Sequence, residues 1–355
     1  MKKLIFFARE LEIGGVERAL VNLLNALADE YAITLALWET RGTLLPELDG
    51  RVALRRIPHV VCALAPLRRA GNAALLALWA AKNARRYDFS CAYDTGLLPG
   101  CRMARLASKN ACLAVHNDYS LLYPDTKELA AFLRRLRAAR FHSLVFVSRE
   151  SRDGVLRCAP ELGAKSAVIG NLIGGARLRA LAASPCPFQK REGETVFLFL
   201  GRLDEEQKRL SRLLEAFRLA LRERPALRLL LVGDGPARAD CEAYVRAYLP
   251  DGRVSFFGAQ RNPYPFLAEA DCLVLASDFE GFPLVCYEAL ALGRDLITTA
   301  AVSDERIDLR GHAVLCGKEA PALAAAMTAY RRRRNAPLDT DALDRARREA
   351  WEALF

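Results

Sequence analysis

Two glutamates eight positions apart, Glu280 and Glu288, have the residue type and spacing best suited to binding a polar ligand. The apolar run 272–277 before them is typical of a buried parallel strand, and the good helix formers of 284–292 predict a helix. Glu280 is therefore expected on the loop after the strand and Glu288 on the first or second turn of the helix. Because open α/β sheets bind ligands at the carboxyl ends of their strands, both carboxylates are expected to face a crevice there. The loop between them has a backbone suited to a phosphate or a sugar hydroxyl, and it consists of Gly281, Phe282, Pro283 and Leu284.

A glycine and two cations follow a second apolar run, 196–200, which is also typical of a strand. Gly201 ends this run and Arg202 comes next, with Lys208 six positions further on. The planar guanidinium of Arg202 and the compact charge of Lys208 form a combination suited to holding a diphosphate. The alternative is that both are ordinary surface charges of a loop, but the strand directly before them favours binding.

The N-terminal half contributes a glycine pair and one histidine. Gly14 and Gly15 lie between the first apolar run and a helical pattern, where glycine lets a ligand approach the backbone and a helix start favours anions. His116 follows the apolar run 111–115, so we expect it at the edge of a sheet, where it could hydrogen-bond a sugar hydroxyl or a phosphate. Taken alone, the glycines could equally form a tight turn, and the histidine could be structural.

No pattern in the chain indicates a metal site or a catalytic triad. The other histidines have no partner pattern typical of either. Asp339 and Asp341 have a spacing that can bind a divalent cation, but they precede a predicted terminal helix, where aspartates are favoured as caps. We therefore expect helix capping, and no metal or other cofactor.

Strand-like and helix-like runs alternate along the chain, which predicts βαβ units and parallel sheets. A proline-containing stretch, 182–188, interrupts the alternation. The sequence therefore predicts an α/β protein with two doubly wound domains and a cleft between them as the ligand site. The predicted divisions are 1–182, 183–338 and a terminal helix, 339–355, that packs back toward the first domain. The predicted elements are 3–8, 16–27, 32–38, 75–84, 89–93, 97–107, 111–115, 129–139, 143–147 and 167–169, and then 195–200, 210–221, 227–232, 241–248, 254–257, 265–268, 272–276, 284–292 and 296–299.

The positive charge of the chain is concentrated in its N-terminal half. The formal net charge is +10, and residues 1–180 hold 27 Lys and Arg against 16 Asp and Glu. Such an asymmetry indicates an anionic partner, and we expect an anionic membrane surface. The alternative is the solvated surface of an arginine-rich protein, since 43 of the 52 basic residues are arginine. Nucleic-acid binding is not expected, because the basic residues are not interleaved with aromatic ones.

The compartment is predicted from the cysteines and the apolar runs. The ten cysteines are scattered without a C-x-x-C pair, which favours buried thiols in a reducing cytosol. No apolar run reaches the roughly 18 residues that span a bilayer. We therefore expect a cytoplasmic protein that is peripheral at the inner face of the cytoplasmic membrane.

Taken together, these motifs resemble the retaining glycosyltransferases of family 4, which have the GT-B fold of two Rossmann-like domains facing across a cleft. The resemblance covers nearly the whole chain and is most specific in 195–300. It rests on Gly14-Gly-Val-Glu-Arg, His116-Asn, Gly201-Arg-Leu with a downstream lysine, Gly233-Asp-Gly-Pro, Phe256-Phe-Gly and Glu280-Gly-Phe-Pro-Leu-Val-Cys-Tyr-Glu288.

The resemblance implies roles for the C-terminal candidates. Glu288 would bind the ribose hydroxyls of a nucleoside diphosphate donor. Glu280 would contact the donor sugar, together with the backbone of 281–284. Arg202 and Lys208 would hold the diphosphate and neutralise the charge on the leaving group.

The N-terminal candidates would complete the donor site. Gly14 and Gly15 would let the diphosphate lie against the first domain, and His116 would contact the donor sugar. The basic loop departs from its relatives, which usually have lysine followed by glycine where this chain has Lys208 and Arg209. Arg209 could share the role of Lys208.

The sequence therefore predicts a metal-independent, retaining glycosyltransferase of bacterial surface polysaccharide, lipopolysaccharide or glycan biosynthesis. It would move a hexose or an N-acetylhexosamine from a nucleotide sugar, most readily a UDP-sugar, to a lipid-linked or surface glycan acceptor. One alternative is a GT-B-type nucleotide-sugar epimerase. Another is a non-catalytic glycan- or lipid-binding partner in a polysaccharide assembly complex.

Overall fold

The computed structural model describes residues 1–299, 313–332 and 336–355. The chain forms two compact units: unit 1 comprises Met1–Leu172 and Asp344–Phe355, and unit 2 comprises Ile173–Leu343. The strands of unit 1 are β1 (Lys3–Ala8), β2 (Ala32–Leu37), β3 (Ala53–Arg56), β4 (Phe89–Ala92), β5 (Ala111–Val115), β6 (Ser143–Phe146) and β7 (Ser166–Val168). Its helices are α1 (Gly15–Leu27), α2 (Ala65–Asn83), α3 (Leu98–Ala107), α4 (Tyr119–Leu122), α5 (Thr126–Leu136) and α6 (Arg149–Leu156).

Unit 2 has the same alternation of strands and helices. Its strands are β8 (Thr195–Leu200), β9 (Leu227–Val232), β10 (Val254–Gly258), β11 (Cys272–Leu275), β12 (Asp295–Thr298) and β13 (Ala313–Leu315). Its helices are α7 (Gly175–Ala182), α8 (Glu205–Lys208), α9 (Leu210–Glu223), α10 (Arg238–Tyr248), α11 (Tyr264–Glu269), α12 (Leu284–Ala291) and α13 (Ala320–Ala329), while α14 (Thr340–Glu352) begins in unit 2 and ends in unit 1.

Both sheets are parallel and doubly wound, which confirms the predicted α/β class. The strand order is β3-β2-β1-β4-β5-β6-β7 in unit 1 and β10-β9-β8-β11-β12-β13 in unit 2. Apolar side chains pack on both faces of the first sheet, and a single large core surrounds the second. The strand order reverses between β1 and β4 and between β8 and β11. Such reversal points open a crevice at the carboxyl ends of the strands, where ligands of this fold class bind.

The division between the units falls after Leu172 rather than after residue 182. The reason is that α7 packs against α11 and α12, and Leu178 lies in the core of unit 2. The side chain of Asn262 also donates to the carbonyl of Leu181 at 2.9 Å. The proline-containing stretch 182–188, which interrupts the predicted alternation, therefore lies within unit 2, and its Phe188 is buried in that core.

The terminal helix runs from Thr340 to Glu352, and the residues from Asp344 onward belong to unit 1. Asp339 caps it, since its carboxylate accepts from the backbone N–H of Ala342 at 3.0 Å. Asp341 instead pairs with Arg179 at 3.3 Å. The interpretation of Asp339 as a helix cap is confirmed. No helix within the described ranges is long and apolar enough to cross a membrane.

Candidate active site

The loop after β8 carries the first set of predicted residues. Gly201 has φ of 156°, and its N–H donates to the carbonyl of Val232 at 3.0 Å. A Cβ at Gly233 would stand 1.8 Å from the Gly201 carbonyl oxygen, so Gly233 is required by the close approach of two backbones. Arg202 follows on the surface, with its side chain 64% exposed and an ion pair to Asp204 at 3.1 Å.

Lys208 and Glu280 lie together, as the adjacency of β8 and β11 requires. The Nζ of Lys208 donates to Oε1 of Glu280 at 2.7 Å, and both side chains are largely buried. The side-chain amide of Gln207 donates to the backbone carbonyl of Phe279 at 3.2 Å and contacts Oε2 of Glu280 at 3.4 Å. Both carboxylate oxygens of Glu280 are thus held by neighbouring side chains of the short helix α8.

Asp278, on the loop after β11, ties that loop to α8 and to the start of α9. Its backbone N–H donates to the carbonyl of Gln207 at 3.0 Å. Its carboxylate accepts from Nε of Arg209 and, at 2.8 Å, from Nη2 of Arg212. Arg209 has a left-handed backbone with φ of 52°, which disfavours side chains other than glycine. The guanidinium of Arg209 is thus engaged by Asp278, as the ammonium of Lys208 is engaged by Glu280.

Glu288 lies on the second turn of α12, as predicted, and is buried. The hydroxyl of Tyr264 donates to its Oε1 at 2.8 Å. Immediately before the helix, Phe282 stacks on Tyr287 with ring centroids 4.5 Å apart and an interplanar angle of 3°. This contact fixes the course of the predicted binding loop, in which Pro283 caps the helix and Leu284 begins it. Gly281 is half-buried between Glu280 and this stack.

In unit 1, Gly14 and Gly15 open α1 as predicted. Gly14 is the N-cap, with an extended backbone, and Gly15 is the first helical residue. A Cβ at Gly14 would meet the carboxylate of Glu17 at 2.1 Å, whereas a Cβ at Gly15 would have no described atom within 4 Å. The fold therefore needs no glycine at position 15, and the space beside it is open.

His116 lies just after β5 and lines a cavity of about 170 Å³ at the carboxyl edge of the sheet. Its ring packs on Tyr93 with centroids 4.2 Å apart. Burial lowers the pKa of His116 to about 3, so the imidazole is neutral at physiological pH. Neither ring nitrogen makes a hydrogen bond of normal geometry with a described residue. Because buried polar atoms normally have partners, such nitrogens indicate a place for a ligand group or water.

The same cavity contains acidic residues that were not predicted. Glu17 and Asp94 both line it, together with Arg9 and Glu10. Burial raises the pKa of Glu17, and the carboxylates of Asp94 and Glu10 raise it further. Asp94 follows β4, which lies next to β1 in the sheet. Its place in this cavity could therefore be inferred only once the strand order is known. Asp278 and Gln207 were missed for the same reason, because their contacts depend on β8 and β11 being neighbours.

The predicted residues thus form two groups. Lys208, Glu280 and Glu288 lie in unit 2 around the start of α12, and Gly15 and His116 lie at the corresponding edge of unit 1. Arg202 shares the loop of Lys208 but is paired with Asp204 at the surface. No cluster of three or more His, Cys, Asp or Glu residues suited to a metal ion occurs in the part of the chain that the structure describes.

Family models match both units of the chain. The model for Glycosyltransferase Family 4 matches residues 13–173, and the model for Glycosyl transferases group 1 matches residues 194–331. Together they span the edges of both sheets and include every predicted site residue.

Curated relatives and solved structures agree with these models. The chain is 34% identical to the lipopolysaccharide 1,6-galactosyltransferase of Escherichia coli K12 over 131 residues, which is 34% of this chain and 36% of that protein. It is 24% identical over 82% of its length to 77% of a Campylobacter jejuni enzyme, the GalNAc-alpha-(1->4)-GalNAc-alpha-(1->3)-diNAcBac-PP-undecaprenol alpha-1,4-N-acetyl-D-galactosaminyltransferase. The fold matches that of Anabaena HepE in complex with UDP and glucose, with a TM-score of 0.75 and 17% identity over 99% of this chain and all of that one.

The first curated relatives are matched over only about a third of their own length. The fold and the two family models nevertheless cover most of the chain. The chain therefore belongs to the GT-B glycosyltransferases, with a family 4 domain followed by a group 1 domain.

Proposed function

We propose that this protein is a retaining, metal-independent glycosyltransferase that moves a hexose or an N-acetylhexosamine from a UDP-sugar to a lipid-linked or surface glycan. The observation that carries the proposal is the contact between Lys208 and Glu280 beside the N-terminus of α12. In this contact a cation that would hold the diphosphate lies next to a carboxylate that would bind the sugar hydroxyls. These are the two parts of a nucleotide sugar that meet at the bond to be broken.

The donor would lie along the edge of unit 2. Glu288 would accept hydrogen bonds from the ribose, held in place by Tyr264. Lys208 and the exposed Arg202 would contact the diphosphate. As the glycosidic bond breaks, negative charge grows on the leaving UDP, so fixed positive charge lowers the barrier.

Retention would follow from attack on the same face of the sugar, with the leaving phosphate accepting the proton of the acceptor hydroxyl. In this mechanism Glu280 positions the sugar and does not act as the acid of a glycosidase. Lys208 and Arg202 would supply the charge that a divalent cation supplies in other transferases, and so no metal is needed. Gly15 would leave room for the diphosphate, and the neutral His116 would hydrogen-bond the donor sugar.

The choice of substrates rests on the relatives. The Anabaena protein was solved with UDP and glucose, which supports a UDP-linked hexose. The name of the Campylobacter enzyme specifies an acceptor on undecaprenyl diphosphate, and that of the Escherichia coli enzyme specifies lipopolysaccharide. A lipid-linked acceptor would draw this protein to the inner face of the cytoplasmic membrane.

A panel of UDP- and GDP-sugars tests the proposal through two measurements on the purified protein. Calorimetry should show binding of UDP that is unchanged by EDTA. Release of UDP from one or two donors should then rise when a lipid-linked oligosaccharide is added, and NMR of the product should show the anomeric configuration of the donor. Tight UDP binding without transfer, accompanied by epimerised donor, would contradict the proposal, and so would an inverted product.

A further inference from the structure

Helix α2 presents an apolar face to solvent. None of its residues is buried, although it is 19 residues long. One side contacts the rest of unit 1: the side chain of Asn72 accepts from the backbone N–H of Val60 at 2.7 Å, and Trp79 packs edge-on against Phe7. The residues of the other side are exposed, which shows that no described element packs over it.

The exposed side of α2 carries no polar side chain over its central three turns. The exposed residues between Arg69 and Lys82 recur at helical spacing and are Ala70, Ala73, Ala74, Ala77, Leu78 and Ala81. Leu67, on the same face, is 60% exposed and Leu78 is 62% exposed. The loop before the helix adds Val61 and Leu64, which are 86% and 61% exposed. Surface helices of globular proteins normally place charged residues on such a face.

The segment 52–87, which contains α2, is purely basic in its charged residues. It contains no Asp or Glu. All of its charged side chains are exposed, and none forms an ion pair with a described residue. They are Arg55, Arg56, Arg68, Arg69, Lys82, Arg85 and Arg86.

We propose that segment 52–87 binds the surface of an anionic lipid bilayer, with the apolar face of α2 in the boundary between headgroups and acyl chains. An exposed apolar helix face bordered by Lys and Arg has the chemistry of an interfacial helix. The basic residues on both sides of that face contact lipid phosphates, each adding to the attraction. A bilayer provides the apolar and the anionic surface at once. This inference deepens the proposed function, because it would bring the enzyme to a lipid-linked acceptor, but binding is measurable without turnover.

The test is cosedimentation of the full chain with vesicles made of equal parts phosphatidylglycerol and phosphatidylcholine, or of phosphatidylcholine alone. We expect binding to the mixed vesicles that weakens with salt. Arg68→Gln with Arg69→Gln should weaken it about 25-fold, since each charge contributes about 5-fold. Leu67→Ser with Leu78→Ser should weaken it by at least about 10-fold, and this fold loss relative to wild type should be the same at low and at high salt, because apolar contacts are not screened.

The matched controls lie on unit 2, where Arg222 and Arg246 are exposed and Tyr248 is 63% exposed. Arg222→Gln with Arg246→Gln, and Tyr248→Ser, should bind vesicles like wild type. UDP affinity, measured in parallel, should be unchanged in all variants. A failure of the proposed donor binding would therefore be distinguished from a failure of membrane binding. The proposal is overturned if wild type does not bind mixed vesicles or if the α2 variants bind as tightly as the controls. It is also overturned if sedimentation shows a dimer that Leu67→Ser with Leu78→Ser dissociates, because the face would then join two copies of the chain.

Discussion

In unit 2 the charged groups beside the reversal of strand order between β8 and β11 form close ion pairs, one of them largely buried. In unit 1 the charged groups beside β1 and β4 line a cavity, and Arg9 and Asp94 there form a looser, more exposed pair at 3.6 Å. Lys208 holds Glu280, and Asp278 binds both Arg209 and Arg212. At the corresponding edge of unit 1, His116 is buried without a normal hydrogen bond to a described residue. The two edges thus share a topology but differ in that a buried ion pair lies at the edge of unit 2 and a buried histidine at the edge of unit 1.

This difference indicates two ways of preparing a binding edge. Charges that are already held in place would need little reorganisation to meet the proposed diphosphate and sugar, and such preorganisation is the condition for electrostatic stabilisation of a leaving group. A buried, neutral imidazole without a partner is costly until a ligand or water supplies one. We therefore expect substitutions in unit 2 to affect turnover most. In unit 1 we expect one substitution to change donor binding without changing stability, and another to change the pH dependence of stability.

The largest effect is expected at the pair in unit 2. Glu280→Gln and Lys208→Met should each lower kcat/KM by about 10²- to 10³-fold, because each removes a fixed charge or hydrogen-bond group at the proposed position of the bond that breaks. The double variant should lose much less than the product of the two single losses, since the groups act as a unit. Steady-state kinetics with the preferred donor measures all three.

A charge pair elsewhere in unit 2 provides the control for this cycle. Arg218 and Glu215 are bonded on α9 at 2.6 Å, one helical turn apart. Glu215→Gln and Arg218→Met should leave kcat/KM within about twofold of wild type, as expected for a surface pair. Activity near the wild-type level in Glu280→Gln and Lys208→Met would remove the basis for the proposed donor site.

The next effect is expected at Gly15 in unit 1. Gly15→Val should weaken donor binding by about 10-fold or more, because the side chain would fill the open space beside the start of α1. The free energy of unfolding should change by less than about 0.5 kcal/mol, since the new Cβ meets no described atom. Calorimetry with UDP and urea unfolding measure the two quantities.

Gly50 is the matched position, because a Cβ there also meets no described atom within 4 Å. Gly50→Val should therefore change neither stability nor binding. If Gly15→Val binds UDP as well as Gly50→Val does, the diphosphate does not lie against the start of α1.

A further effect, on stability rather than on turnover or donor binding, should appear in the pH dependence of unfolding. The folded state holds the pKa of His116 at about 3, below the usual value of 6.5. The unfolded chain therefore binds more protons between these values, and stability falls as the pH drops through this window. Between pH 7 and pH 5 this histidine should account for about 2 kcal/mol of lost stability.

Urea unfolding at the two pH values measures that loss. His116→Leu should remove about this much of the pH dependence, whereas His142→Gln, at an exposed histidine, should not. Equal pH dependence in wild type and His116→Leu would show that the imidazole is protonated or solvated in the folded protein.

The sequence predicts elements well where an apolar run marks them. The predicted strands 3–8 and 195–200 coincide with β1 and β8, and the helix after Pro283 ends one residue earlier than predicted. By contrast β3 was missed, because all four of its side chains are exposed and leave no apolar run. For α2 the apolar pattern predicts only 75–84, whereas the helix begins at Ala65. None of its residues is buried, so its first part has no buried apolar stripe from which to predict a helix.

For the site, the residue types were predictable but the contacts were not. The residues of both edges follow apolar runs, and so their places at the ends of strands could be inferred. The contact of Lys208 with Glu280 depends on β11 lying next to β8, which is a pairing between strands far apart in the chain. The engagement of Arg209 by Asp278 has the same origin, and the expectation that Arg209 shares the role of Lys208 stays a prediction.

The smallest effect, and the one that best measures the organisation of unit 2, is expected at Arg209. Its left-handed backbone costs about 1 kcal/mol that glycine would not lose, while its partly exposed ion pair contributes less than about 1 kcal/mol. Arg209→Gly removes both the backbone strain and the ion pair, and these effects oppose each other. Its free energy of unfolding should therefore stay within about 1 kcal/mol of wild type. Arg209→Ala removes only the ion pair and keeps the strain, so it should be about 1 kcal/mol less stable than Arg209→Gly. Urea unfolding at one pH decides the order, and an alanine variant as stable as the glycine variant would mean that the backbone at 209 is not left-handed. Because both variants release Asp278 equally, a similar few-fold loss of kcat in the two would locate the effect on turnover in the ion pair rather than in the backbone.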